Sequence, residues 1–287
     1  MDSILDAITN WLREIFTTAI ESNLARMFTG VNERVGTIAV NVGMTPQGWN
    51  VNIFNMIRIL SETVILPIAG IIITYVLCYE LITMVIDKNS LHEIDTFMFF
   101  KYMFKAGAAV LIVAHAFDIT MAVFDMAQHV ISRAAGVIHG NTAINIDAAI
   151  AAMNLESYGI PELLLLMIET FIISFCLNII GVVIMVILYG RMIEIYLTCS
   201  VAPIPLATMV NKEWGQTGNN FLRGLLALGF QGFFLILCVG IYAVLVNDMI
   251  ISENIHLAIF NVAAYTVLLC FAMMKSGALS KSIFGAH

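Results

Sequence analysis

Long apolar runs separated by short polar stretches set the pattern of this chain. Between Leu163 and Gly190 only Glu169 carries a charge, over 28 positions. At ~1.5 Å per residue, a helix over that run measures about 42 Å against a hydrocarbon core of about 30 Å. The run therefore predicts a membrane span whose excess length goes into tilt or into projection within a packed assembly. Arg191 marks its expected end. The next run, 192–210, carries Glu194, Pro203 and Pro205. Two prolines so close together remove two helical donors and clash with the preceding turn, which predicts a re-entrant or broken helix there. Further spans are predicted over 64–86, 106–124, 224–247 and 257–274. The expected fold is all-α: a polytopic transmembrane helical protein with five crossings plus the broken segment, or six crossings if that segment passes through.

The polar positions organise the rest. Near the start, Ile4, Ile8, Trp11, Ile15, Ile20, Leu24 and Met27 share a helical face opposite Asp6, Arg13, Glu14 and Glu21, which predicts an amphipathic helix against the interface, a partner or its own bundle. Asp2 and Asp6 stand where a cleaved signal would be basic. Residues 29–50, with Gly30, Gly43 and Thr45-Pro46-Gln47-Gly48-Trp49, read as a linker closed by an interfacial Trp. Pro67 falls near the start of the first span, where a missing donor is tolerable. Residues 87–105 read as an aromatic connector whose Lys101 and Lys105 suit snorkelling to a phosphate-rich lipid surface. His115 and Asp118 share a face of the second span; such a pair serves a proton relay, and more often a helix–helix hydrogen bond. Residues 125–160 predict an amphipathic helix, a turn at Gly140-Asn141 and a short Ala-rich helix, and Gln231 is the one strongly polar side chain inside the span that follows the 211–220 loop.

These readings divide the chain into 1–62, an amphipathic helix and linker; 63–124, the first transmembrane pair; 125–160, an extracytoplasmic amphipathic connector; and 161–287, a transmembrane region built on the long central helix. Lys and Arg near span ends favour the cytoplasm. If 192–210 does not cross, Lys88, Lys101, Lys105, Arg191, Lys212, Arg223, Lys275 and Lys281 fall on one side, with Arg133 and the N-terminal segment opposite. That places the N-terminus outside and the C-terminus in the cytoplasm. Arg58 runs against it.

Composition narrows the function classes. The 287 residues are 60% hydrophobic and 11% charged, where soluble domains carry about 25% charged residues. Mean hydropathy is +0.93. Thirteen Lys and Arg and a net charge of −7 exclude a concentrated phosphate-gripping face, so any DNA is handled by passage or contact. The five cysteines lie within apolar runs without zinc or redox spacing, and the 17 methionines form no metal path. No P-loop, H-E-x-x-H or C-x-x-C motif occurs, so no catalytic, cofactor or metal residue is expected. Arg191 and Glu194, three apart, are expected to pair, with Arg191 on the last carbonyls of the long helix and Glu194 fixing the re-entry.

Several stretches resemble the TrbL-like polytopic subunit of type IV secretion machines, in the form found in Gram-positive conjugative elements. They are Thr45-Pro46-Gln47-Gly48-Trp49-Asn50, Leu60-Ser61-Glu62-Thr63-Val64-Ile65-Leu66-Pro67, Gly190-Arg191-Met192-Ile193-Glu194 through Ala202-Pro203-Ile204-Pro205, and Gly218-Asn219-Asn220-Phe221-Leu222-Arg223 with Gln231-Gly232. The resemblance implies an inner-membrane subunit, a homo-oligomeric ring that forms or scaffolds the conduit for a relaxase-bound single DNA strand. It also implies contacts with other secretion subunits, their ATPases and membrane lipid, and no ATPase chemistry of its own. Glu169, Arg191, Glu194, Pro203, Pro205, Arg223 and Gln231 are the candidate structural and conduit residues. A secondary transporter is the alternative, with Glu80, Asp118, Glu169 and Glu194 around the broken segment as a midplane site; the absence of an internal repeat counts against it.

Overall fold

A computed structural model describes residues 2–86, 96–138, 150, 155–211, 213–249 and 255–286. It builds α1 (Asp2–Val42), α2 (Pro46–Trp49), α3 (Val51–Leu60), a π-helical turn (Ser61–Ile65), α4 (Leu66–Ile86), α5 (Thr96–Ala114) and α6 (Ala116–Ile138). After a 3₁₀ turn (Leu155–Ser157) come α7 (Ile160–Ser200), α8 (Pro203–Thr208), α9 (Gly215–Met249) and α10 (Ile255–Phe284). Among the described residues there is no strand, and the all-α class stands. Among the described residues five helices are long and apolar enough to cross a membrane: Val51–Ile86, Phe97–Ala114, Ile160–Ser200, Gly215–Asp248 and Ile255–Phe284. Lys88, Lys212, the Gly140-Asn141 turn and most of the Ala-rich segment lie outside the described residues.

The helices overrun the limits drawn from charge and glycine. The 29–50 linker is wrong over its first half, where α1 continues to Val42. Val31, Val35, Ile38 and Val42 are buried along one face, and that packing outweighs the cost of Gly30 and Gly36, about 1 kcal/mol each relative to Ala. The second span is displaced: the stretch long and apolar enough to cross runs from Phe97 to Ala114, ahead of 106–124, and the chain turns at His115 into α6. Arg191 does not end the long helix, which runs nine residues further to Ser200. Pro67 sits deep inside a 36-residue rod. Having no N–H, it removes the bond to Thr63 and crowds that turn, and the helix widens just ahead of it: the Leu66 amide donates to Ser61, five residues back.

The chain forms two compact units. The first comprises 1–43, 131–188 and 234–276. Its core includes Ile20, Leu24, Phe28, Val31 and Ile38 of α1, Leu163, Leu166, Leu177 and Ile184 of α7, and buried residues of α9 and α10 such as Val246 and Ile259. Polar ties fix the register: Asn23 Nδ2 donates to Thr170 Oγ1 at 3.3 Å and Arg13 Nη1 to the Tyr158 carbonyl at 2.9 Å. The first part of the amphipathic face, Ile4, Ile8, Trp11 and Ile15, is exposed, and burial begins at Ile20.

The second unit comprises 44–130, 189–233 and 277–287. Thr45 and Asn50 cap consecutive helices, accepting from the amides of Gly48 and Ile53 at 3.0 Å each. Trp49, the expected interfacial anchor, packs instead on Tyr189 and Tyr196 with centroids 5.6 and 5.9 Å apart. Tyr196 donates its hydroxyl to the Pro46 carbonyl at 2.6 Å. One buried cluster joins Phe54, Phe117, Phe124, Met192, Ile195 and Leu225. Another is built from Ala69, Ala109, Ala116, Ala202 and Ala207 around Ile73, Val113 and Leu206, small residues that let helix backbones approach closely.

Candidate functional site

The broken segment of the second unit follows from its prolines. Pro203 occupies the first turn of α8, where a missing amide is harmless, and the chain turns at Val201-Ala202 between α7 and α8. The Pro205 carbonyl accepts from Thr208 Oγ1 at 2.8 Å. It also lies against α9, so that a Cβ on Gly218 would stand 2.6 Å from it.

A latch holds the beginning of α9. Asn211, 4% exposed, donates from Nδ2 to Glu80 Oε2 at 3.0 Å and accepts the amides of Glu213 and Trp214 at 2.7 and 3.3 Å. The other oxygen of Glu80 accepts from Lys105 Nζ at 2.6 Å. Trp214 stacks on both Tyr75 and Tyr79, at 5.6 and 5.4 Å, and the Tyr79 hydroxyl donates to Glu213 at 3.2 Å. Beside this latch an open cleft of about 420 Å³ is lined by Asn211, Gln216, Asn219, Asn220 and the exposed Arg223. Lys105 therefore faces an acid of its own chain, while Lys101 remains exposed.

The remaining candidates occupy separate places. Arg191 is 6% exposed, and its Nη2 donates to the Gly229 carbonyl at 3.4 Å, a long bond, while Nε has no partner among the described residues. The expected roles of Arg191 and Glu194 are corrected accordingly, because no helix end lies at Arg191. Glu194 pairs with Lys281 at 3.2 Å, where both side chains are about half exposed. Gln231, 8% exposed, lies against Gly277, whose missing Cβ would be 3.1 Å from the amide nitrogen. In the first unit Glu169 meets His256 Nδ1 at 2.5 Å. His115 and Asp118 are 3.7 Å apart and more than half exposed, and Asp118 also meets Arg58 at 3.3 Å, which in turn holds Glu62 at 2.8 Å. The pair expected inside a span thus belongs to an exposed four-residue charge cluster. Among the described residues no group of His, Cys, Asp and Glu has the arrangement of a metal site.

One residue escaped the sequence reading. Arg34, on α1 of the first unit, donates Nη2 to the Leu177 carbonyl at 2.7 Å. A Cβ on Gly181 would stand 3.1 Å from its Nε. Burial lowers its pKa, opposed by Tyr242 and Glu33. The only sequence signal was Gly181 in the middle of an apolar run.

Residues 31–203, more than half of the chain, match the family described as TrbL/VirB6 plasmid conjugal transfer like protein. The matched part holds two of the four resembling stretches whole, and the third as far as Pro203. No curated protein and no solved structure matches the chain. With helices fit to cross a membrane several times and this match over most of its length, the chain belongs to the TrbL/VirB6 plasmid conjugal transfer-like family, as a multi-pass membrane subunit of a conjugative type IV secretion system.

Proposed function

We propose that this subunit forms or supports the inner-membrane conduit for DNA–protein transfer, as one copy in a homo-oligomer that engages the other secretion subunits and ATPases. The length of α7 carries the reading. Its exposed large apolar side chains extend from Leu164 to Leu197. At ~1.5 Å per residue they span about 50 Å, against a hydrocarbon core of about 30 Å. To submerge that length the helix would tilt by more than about 50°, beyond the 0–40° range of membrane helices. Lipid alone therefore cannot cover it, and further copies or partner subunits do. The charges of the spans point the same way: Glu80, Glu169 and Glu194 each hold an internal partner, so they do not converge on a small solute.

Deleting the gene from a conjugative element should abolish transfer while relaxase nicking at the origin continues, and the purified protein in lipid nanodiscs should have the mass of several copies. A monomer that takes up a solute in liposomes without other components would overturn the proposal in favour of a transporter.

A further inference from the structure

We infer that the second unit carries a specific site for an anionic phospholipid, with Lys101 on the headgroup and a groove between α5 and the α8 segment for one acyl chain. This inference depends on membrane placement alone and not on the conduit role.

The groove encloses about 460 Å³. Ala108 and Ala109 line it on α5, with Phe104 and Ile112 beside them and Leu206 and Met209 opposite. The two lysines at one end differ in state. Lys105 is held by Glu80 at 2.6 Å, and the second oxygen of Glu80 is taken by Asn211, so that group carries no net charge to offer a ligand. Lys101 is exposed and has no partner among the described residues. Among the described residues, Lys101 is thus the available cation above the apolar trough.

The dimensions match a single leaflet. Lys101 lies four residues inside the span that begins at Phe97, about 6 Å along its axis and within snorkelling reach of the phosphate level. From Lys101 to Ile112 the trough follows α5 for about 16 Å, roughly half of a 30 Å hydrocarbon core. A negative head joined to a leaflet-long chain meets both conditions. A zwitterionic lipid fills the trough but leaves Lys101 facing a neutralised head, and a free phosphate leaves the trough empty.

The test uses the full-length protein in detergent, titrated with phosphatidylglycerol or phosphatidylcholine of identical chains, with bound lipid counted by native mass spectrometry. Phosphatidylglycerol should be retained about fivefold more strongly, the ratio expected for one basic residue at the headgroup level. Lys101→Ala should bring it down to the phosphatidylcholine level, whereas Lys101→Arg should keep the preference. Ala108→Phe should lower retention of both lipids. Equal retention of the two lipids by the unaltered protein, unchanged selectivity in Lys101→Ala, or displacement of the lipid by an equal concentration of inorganic phosphate would each overturn the inference. Lys101 is exposed, so its substitutions leave the fold intact, and they decide the matter even if Ala108→Phe does not fold.

Discussion

Gly218 packs its bare α-carbon into the corner between Pro205 and Met209, and an alanine there would place a methyl 2.6 Å from the Pro205 carbonyl and overlap the Met209 side chain. Since the carbonyl belongs to a backbone fixed by proline, relief requires α8 to shift, and overpacking of this kind costs about 1–3 kcal/mol. Gly224, two turns on, has nothing within 4 Å of its absent Cβ. Gly224→Ala is expected to leave the melting temperature unchanged or raise it, by up to about 1 kcal/mol of helix propensity, while Gly218→Ala lowers it. Equal melting curves for the two variants would contradict the close approach of α8 and α9. Much at this scale was hidden from the sequence. Gly218 stood in a recognisable stretch, but its reason is a carbonyl 13 residues away on another helix. The Arg34 partner is a carbonyl 143 residues away, which no local pattern announces. Arg191 announced its charge, but charge alone does not say whether a helix stops or carries the residue into its interior.

At the scale of helices, the second span shows why charge misplaced a boundary. Lys101 and Lys105 mark 87–105 as a connector in the sequence, yet α5 includes both, because Glu80 on α4 neutralises Lys105. Apolar periodicity finds such helices, whereas their ends depend on partners in other segments. The pairing makes a sign prediction. Glu80→Gln leaves a partly buried lysine without its acid and should destabilise the purified protein by about 1–3 kcal/mol, while adding Lys105→Met should restore part of the loss. A double variant as unstable as the two single losses combined would show that the groups act independently. The prolines were more legible, since Pro203 and Pro205 break the chain where the sequence says they should. Pro67 was not, because its effect depends on how much helix precedes it, and the long rod before it was missed.

For the whole molecule, composition and the length of the apolar runs carried the class: all-α, five helices fit to cross, and a family resemblance that the comparison bears out. The direction of crossing remains our proposal, with the N-terminus outside and the C-terminus in the cytoplasm. A reporter joined after Ala286 should then be active only as a cytoplasmic fusion, and one joined ahead of Met1 only as an exported one; both active on the same side would rule out an odd number of crossings. The widened turn at Ser61–Ile65 bears on this assembly in a different way. It holds one residue more than a regular helical turn needs, and so sets the rotational phase of everything before it against everything after. Losing a single residue there would let the rod close into an ordinary helix and swing Phe54 through about 100°, away from the Phe117 ring 5.6 Å from it. Between Val51 and Ile86, chain length is thus as strictly set as side-chain identity, so that an insertion or deletion in this rod acts as a rotation of its faces.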